Sequence, residues 1–151
     1  MGKSKYILLA EDNANDVELT LAAFREFSLT NEIVVVRDGT EALDFLHRRG
    51  AYAQRATGEP CVVLLDIKMP KLSGLEVLRA IKTDDNLKSL PVVMLTSSRE
   101  AGDLTRSYQL GVNAYVVKPV DFGQFSNSVK SLGRFWTETN ERPPVEALPQ
   151  F

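Results

Sequence analysis

Cysteine is nearly absent. Cys61 is the only one in 151 residues, so no internal disulfide can staple the chain and no thiolate zinc cage can form. The fold must rest on its own core, Cys61 reads as a small buried apolar residue, and a reducing cytoplasm is the expected location. Histidine is as scarce: His47 stands alone, which rules out a histidine pair for a transition metal and leaves His47 as a solvated helix residue. No charge of one sign dominates. Lys and Arg total 18 against 20 Asp and Glu, the net charge is −2 and the pI about 5.5, so nothing points to a nucleic-acid partner. No apolar run approaches the roughly 18 residues of a membrane span, and residues 1–5 lead into a strand without the apolar centre of a signal peptide. The phosphate-loop pattern G-x-x-x-x-G-K-[ST] is missing too, which removes the simplest nucleotide site.

What the chain does have is apolar residues in short runs, 44% hydrophobic in all, enough for one domain with a proper core. Five runs read as buried strands, and most stop at a reactive polar residue. Tyr6–Ala10 ends in Glu11-Asp12, Ile33–Val36 in Arg37-Asp38, Cys61–Leu65 in Asp66, Pro91–Leu95 in Thr96, and Asn113–Val117 in Lys118-Pro119. Helical spacing fills the intervals: Val17, Leu21 and Phe24 behind an Asn15 N-cap; Ala42, Phe45 and Leu46 after Gly39-Thr40; Leu75, Leu78 and Ile81 after Ser73-Gly74; Ala101, Leu104 and Tyr108 up to Gly111; and Phe122, Phe125, Val129, Leu132 and Trp136. Strand and helix alternating five times predict an α/β, flavodoxin-like, doubly wound (βα)5 fold, with a parallel five-stranded sheet of order 2-1-3-4-5. The domain is expected over 1–138. Residues 139–151, with Pro143, Pro144 and Pro149, read as a disordered tail, and Arg48–Pro60 as a long loop. At this length no DNA-binding domain is expected after the fifth helix.

Ligands in such sheets bind outside the carboxyl ends of the strands, at the switch point between the first and third. Glu11, Asp12 and Asp66 should converge there. Three carboxylates close together repel unless protonated or neutralised by a cation, and an all-oxygen donor set suits Mg²⁺. Asp66 could then attack phosphorus and carry an acyl phosphate, with Lys118 and Thr96 meeting phosphoryl oxygens. Each residue also has a plainer account. Glu11-Asp12 would suit a helix N-terminus, Asp66 the turn into Pro70, Thr96 a local hydroxyl turn, and Lys118 the surface. As a set they suit phosphoryl transfer.

These residues, with Met69-Pro70 and Gly74 following Asp66, resemble the receiver domain of bacterial two-component response regulators over about residues 5–135. The resemblance implies a stand-alone receiver phosphorylated on Asp66 by a sensor histidine kinase, with onward contact to a target protein or a histidine phosphotransfer protein. It implies that Asp12 binds Mg²⁺ directly and Glu11 mainly through water, that the Lys68 carbonyl is a further ligand, and that Pro119 follows a cis bond. It also implies that Thr96 and Tyr115 form a switch pair. The long loop, Phe135-Trp136 and the Pro-containing tail are similar to receivers associated with bacterial and cyanobacterial phytochromes. That narrower likeness implies a phytochrome kinase as donor and a homodimer through the fourth helix, fifth strand and fifth helix. Three positions depart from the commonest family pattern: Glu11 for Asp, Ser97 for Ala, and the basic Lys68. Lys68 and Ser97 flank the path of an attacking water and are expected to tune the lifetime of the phosphorylated state. Two other functions compete. A Mg²⁺-dependent aspartyl phosphatase would need a second Asp where Lys68 stands, and a phosphorylation-independent adaptor would be expected to have lost one of the site residues.

Overall fold

The computed structural model describes residues 6–26, 32–55 and 58–142. Five strands, β1 (Ile7–Ala10), β2 (Ile33–Val36), β3 (Val62–Leu65), β4 (Val92–Thr96) and β5 (Ala114–Val117), alternate with five helices. The helices are α1 (Ala14–Glu26), α2 (Gly39–His47), α3 (Gly74–Thr83), α4 (Ala101–Gln109) and α5 (Phe122–Arg134). The sheet is parallel throughout in the order β2-β1-β3-β4-β5, as the alternation predicts. Both faces are covered, which is why the central strands read as unbroken apolar runs. Leu8, Val63 and Met94 pack on one face with Phe45, Leu78 and Ile81. Ile7, Leu64 and Val93 pack on the other with Phe24, Phe125 and Val129. Burying each such side chain stabilises the fold by about 1.5–3 kcal/mol.

The helix starts follow capping chemistry. Asn13, rather than Asn15, caps α1: its Oδ1 accepts from the Asp16 amide at 3.0 Å and its carbonyl accepts from Val17. Asp38 caps α2 by accepting from the Glu41 amide, so that helix begins at Gly39. Ser73 and Glu76 close a reciprocal capping box on α3.

Two helices depart from their expected faces. In α4 the spacing of Leu104 and Tyr108 suggests a core face, yet both are exposed and the one buried residue is Ser107. Phe122, at the start of α5, is exposed as well. An apolar stripe records that a face avoids water, but it does not say whether the cover comes from the same chain. Beyond α5 the chain widens into a π-helical turn, Phe135–Thr139, whose Phe135 and Trp136 rings meet edge to face.

The Lys118–Pro119 bond is trans, against expectation, since no cis peptide bond occurs among the described residues. Trans is the lower-energy isomer for X–Pro by about 0.5–1 kcal/mol, and the next residue, Val120, is fully exposed, so no packing there selects the minority form.

The loop after α2 is more ordered than its composition suggests. It contains a 3₁₀ turn, Gly50–Tyr52, and converges on Arg55. The Arg55 guanidinium lies 4.3 Å above the Phe45 ring and donates to the Phe45 carbonyl and to Glu59. Ala56, Thr57, the N-terminal residues 1–5 and the tail residues 143–151 lie outside the described residues, so the readings made of them are not carried further.

Candidate functional site

Register alone brings the first two carboxylates together. Ala10 of β1 pairs with Leu65 of β3, so the next residues, Glu11 and Asp66, leave adjacent strands side by side. Both are buried, and the Asp66 amide donates back to the Ala10 carbonyl at 3.1 Å. Asp12 follows at the exposed rim. Oxygens of Glu11, Asp12 and Asp66 lie within 4.8 Å of one another.

The turn after Asp66 is held by glycine. A Cβ on Gly74 would fall 2.1 Å from the Asp66 carbonyl oxygen, and one on Gly39 would fall 2.2 Å from that of Leu72. The loop from β3 to α3 therefore packs backbone against backbone, and Gly74 donates to the Ile67 carbonyl at 2.7 Å. One oxygen of Asp66, Oδ1, accepts from the Ile67 amide at 2.7 Å, which holds the carboxylate and leaves Oδ2 for another partner.

That other oxygen meets Lys118. Because β4 separates β5 from β3, only a long side chain can bridge the gap. The Lys118 ammonium lies 3.3 Å from Asp66 Oδ2 and 2.9 Å from Asp16 Oδ2, and it bonds Glu11 Oε1 directly. Three N–H donors thus meet three carboxylates. Burial alone would lower the lysine pKa, but the hydrogen bonds to Glu11 and Asp16 and the charge of Asp66 raise it above its ordinary value. Glu11 moves the other way for an acid. Burial lifts it, the Lys118 hydrogen bond opposes, Asp66 adds to the lift, and the carboxyl is pushed up to about 7. One ammonium shared by three carboxylates cannot neutralise them all. A hard divalent cation bound by Glu11, Asp12 and Asp66 would do so, and the all-oxygen set fits Mg²⁺ or Mn²⁺.

Thr96 ends β4 and is buried beside this pocket. Its hydroxyl accepts from the Ser98 amide at 3.3 Å, and its carbonyl accepts from the Lys118 amide at 2.7 Å. Tyr115 reaches the same loop from β5, donating its hydroxyl to the Ser98 carbonyl at 3.1 Å. Ser98 in turn donates to Asp103 of α4 at 2.6 Å. Lys68 and Ser97 are both exposed at the rim.

Sequence reasoning missed Asp16, Ser98 and Asp103. Asp16 carried a usable signal: with Asn13 three residues before it, it marks the first turn of a helix starting at the switch point. Ser98 and Asp103 carried none, because the bond between them depends on where α4 begins.

Comparison with known proteins agrees with this geometry. Residues 7–130 match the family described as "Response regulator receiver domain". The response regulator Rcp1 of Synechocystis sp. (strain ATCC 27184 / PCC 6803 / Kazusa) is 37% identical over 139 residues, covering 92% of this chain and 93% of the relative. The crystal structure of the Mn²⁺-bound form of response regulator Rcp1 covers 93% of this chain and 99% of its own at 36% identity, with a TM-score of 0.85. That of the phosphorylated cyanobacterial phytochrome response regulator RcpA reaches a TM-score of 0.86 at 40% identity, covering 93% and 99%. The bacteriophytochrome response regulator AtBRR is 58% identical with a TM-score of 0.76, covering 93% of this chain and all of its own.

Proposed function

Since the chain belongs to the response-regulator receiver family and is related to the phytochrome response regulators, we propose that it is a phosphorylation-driven signalling switch whose acceptor is Asp66. The observation that carries the reading is the convergence of Glu11, Asp12, Asp66 and Lys118 at the switch point of the sheet. The Oδ2 oxygen of Asp66 attacks phosphorus in line. As the O–P bond forms, the bond from phosphorus to the donor's imidazole nitrogen breaks, and the nitrogen leaves with its electron pair. Glu11, Asp12 and Asp66, with the Lys68 carbonyl, would hold Mg²⁺, which supplies charge neutralisation at the phosphoryl oxygens when bound. Lys118 meets another of these oxygens as a point charge. The Thr96 hydroxyl, one strand away, donates to a third.

Readout follows from that last contact. Thr96 and Tyr115 both bind the loop at Ser98, so a hydroxyl drawn toward a phosphoryl group disturbs the loop that starts α4. Exposed Leu104, Tyr108 and Phe122 lie on α4 and α5 and would form the responding face, α4-β5-α5, either in a homodimer or against a target. The reading makes this a switch rather than a turnover enzyme. A phosphatase lacks support, because Lys68 offers no carboxyl group as general acid. The donor in this reading is a sensor histidine kinase of the bacteriophytochrome kind, in the cytoplasm, or a histidine phosphotransfer protein. No helix among the described residues is long and apolar enough to cross a membrane.

The test is labelling by a small acyl phosphate with Mg²⁺. The wild-type protein should form an acid-stable, base-labile acyl phosphate, and Asp66→Asn should form none. Equal labelling of the two proteins would overturn the assignment.

A further inference from the structure

Lys118 has three carboxylate partners, and they are not equivalent. Glu11 and Asp66 belong to the group of oxygens that can close on a metal ion, whereas Asp16 does not. In the reading above, a divalent cation and a phosphoryl group would both draw on the oxygens of Glu11 and Asp66 that the ammonium now uses. Asp16 is the one partner free of that competition.

Its placement is also independent of the strand ends. Asp16 sits in the first turn of α1, where its amide is held by the Asn13 side chain at 3.0 Å. Its carbonyl accepts from the buried hydroxyl of Thr20 at 2.7 Å. The carboxylate therefore projects from a fixed turn toward an ammonium that arrives on a flexible four-carbon stem from β5. Of the two, the lysine is the part with freedom to lose.

We propose that Asp16 is a positioning residue for phosphoryl transfer. It keeps the Lys118 ammonium over the pocket when the metal ion and the phosphoryl group claim Glu11 and Asp66. The proposal rests on the phosphoacceptor reading and deepens it. Without Asp16, the ammonium falls back on Glu11 and Asp66, where it competes with the metal ion, and it is no longer held for the incoming phosphoryl oxygen.

A double-mutant cycle between Asp16→Asn and Lys118→Ala tests this. The rate of labelling by acetyl phosphate at saturating Mg²⁺, and the Mg²⁺ affinity by calorimetry, are measured for all four proteins. Asp16→Asn should slow labelling about tenfold when Lys118 is present, the size usual for contacting residues, and by less than about twofold when Lys118 is alanine. The Mg²⁺ affinity should show the same dependence on Lys118. Equal losses in both backgrounds would mean that Asp16 acts only as a distant negative charge or as a support for α1, and an unchanged rate in Asp16→Asn would mean that it does not act at all. Either result overturns the proposal. If the wild type is not labelled, the phosphoacceptor reading falls separately, and coupling between Asp16 and Lys118 is still decided by the Mg²⁺ affinities.

Discussion

The Tyr115 hydroxyl donates to the carbonyl of Ser98 at 3.1 Å, binding β5 to the loop whose amide is held by Thr96. Two strands therefore grip one short loop. Tyr115→Phe removes one grip and leaves the ring. The substitution should cost about 1 kcal/mol of stability in denaturant unfolding, the usual net value of such a bond. It should also weaken the difference in target or self-association between the phosphorylated and unphosphorylated forms. A variant whose association responds to phosphorylation as the wild type does would remove Tyr115 from the switch.

The burial of Glu11 should be visible in pH dependence. Burial lifts Glu11 from the ordinary 4.5 to about 7, against the pull of Lys118 and with the help of Asp66. The folded protein thus holds a proton that the unfolded chain has released over this interval. For the metal-free protein, the contribution of Glu11 to stability is full below about 4.5 and is lost as pH rises through about 7. A metal ion binds the ionised form, so its affinity runs the other way. Calorimetry at about pH 5.5, 6.5 and 7.5 should show Mg²⁺ affinity rising up to about tenfold per unit and then levelling off. A flat profile would mean that Glu11 is already ionised in the metal-free protein.

Removing the cation should make the fold depend on metal. Lys118→Ala leaves Glu11 and Asp66 buried without their ammonium, a change of the kind that costs about 3 kcal/mol. Its melting temperature without Mg²⁺ should fall, and millimolar Mg²⁺ should restore more stability to it than to the wild type. Asp66→Asn should do the opposite, raising the metal-free melting temperature by relieving repulsion and losing most of the response to Mg²⁺. Identical Mg²⁺ responses in the three proteins would argue against a metal at these residues.

Gly74 has no room for a side chain, since its added Cβ would lie 2.1 Å from the Asp66 carbonyl oxygen, which is backbone and cannot swing away. Gly74→Ala should destabilise by about 3 kcal/mol or more, at the upper end for overpacking. Because the displaced group carries the acceptor, labelling should fall even at temperatures where the variant is folded. Full labelling of a folded Gly74→Ala would show that the turn can yield without moving Asp66.

The exposed side chains of α4 should matter for association and not for folding. Leu104→Glu with Tyr108→Glu should leave the unfolding free energy within about 0.5 kcal/mol of wild type. Sedimentation should show weaker self-association or target binding, and unchanged association would place the responding surface elsewhere.

The strand ends were legible because two rules act on them together. A strand buried on both faces must be apolar throughout, so a polar residue at its end stands out, and parallel winding sends all such ends to one side. Glu11, Asp66, Thr96 and Lys118 are all of this kind. Asp16 was harder to see: its spacing from Asn13 marks a helix start, but its link to the site runs through a lysine 102 positions away. The outward turn of α4 was not legible because Leu104 and Tyr108 have the same spacing whether their cover is this chain or another. The trans bond before Pro119 was not legible from the residues, which permit either isomer.

Arg55 lies at the end of the sheet away from all of this. Its guanidinium stacks on Phe45, donates to the Phe45 and Gly58 carbonyls and pairs with Glu59, so α2, the start of β1 and the approach to β3 are fastened around one cation. Movement needs something that stays still. In the proposed switch, a clamp at the amino ends of β1 and β3 would leave the β4 loop and α4 as the parts that respond to a change at the carboxyl ends. Rigidity at one pole would then give direction to a signal at the other.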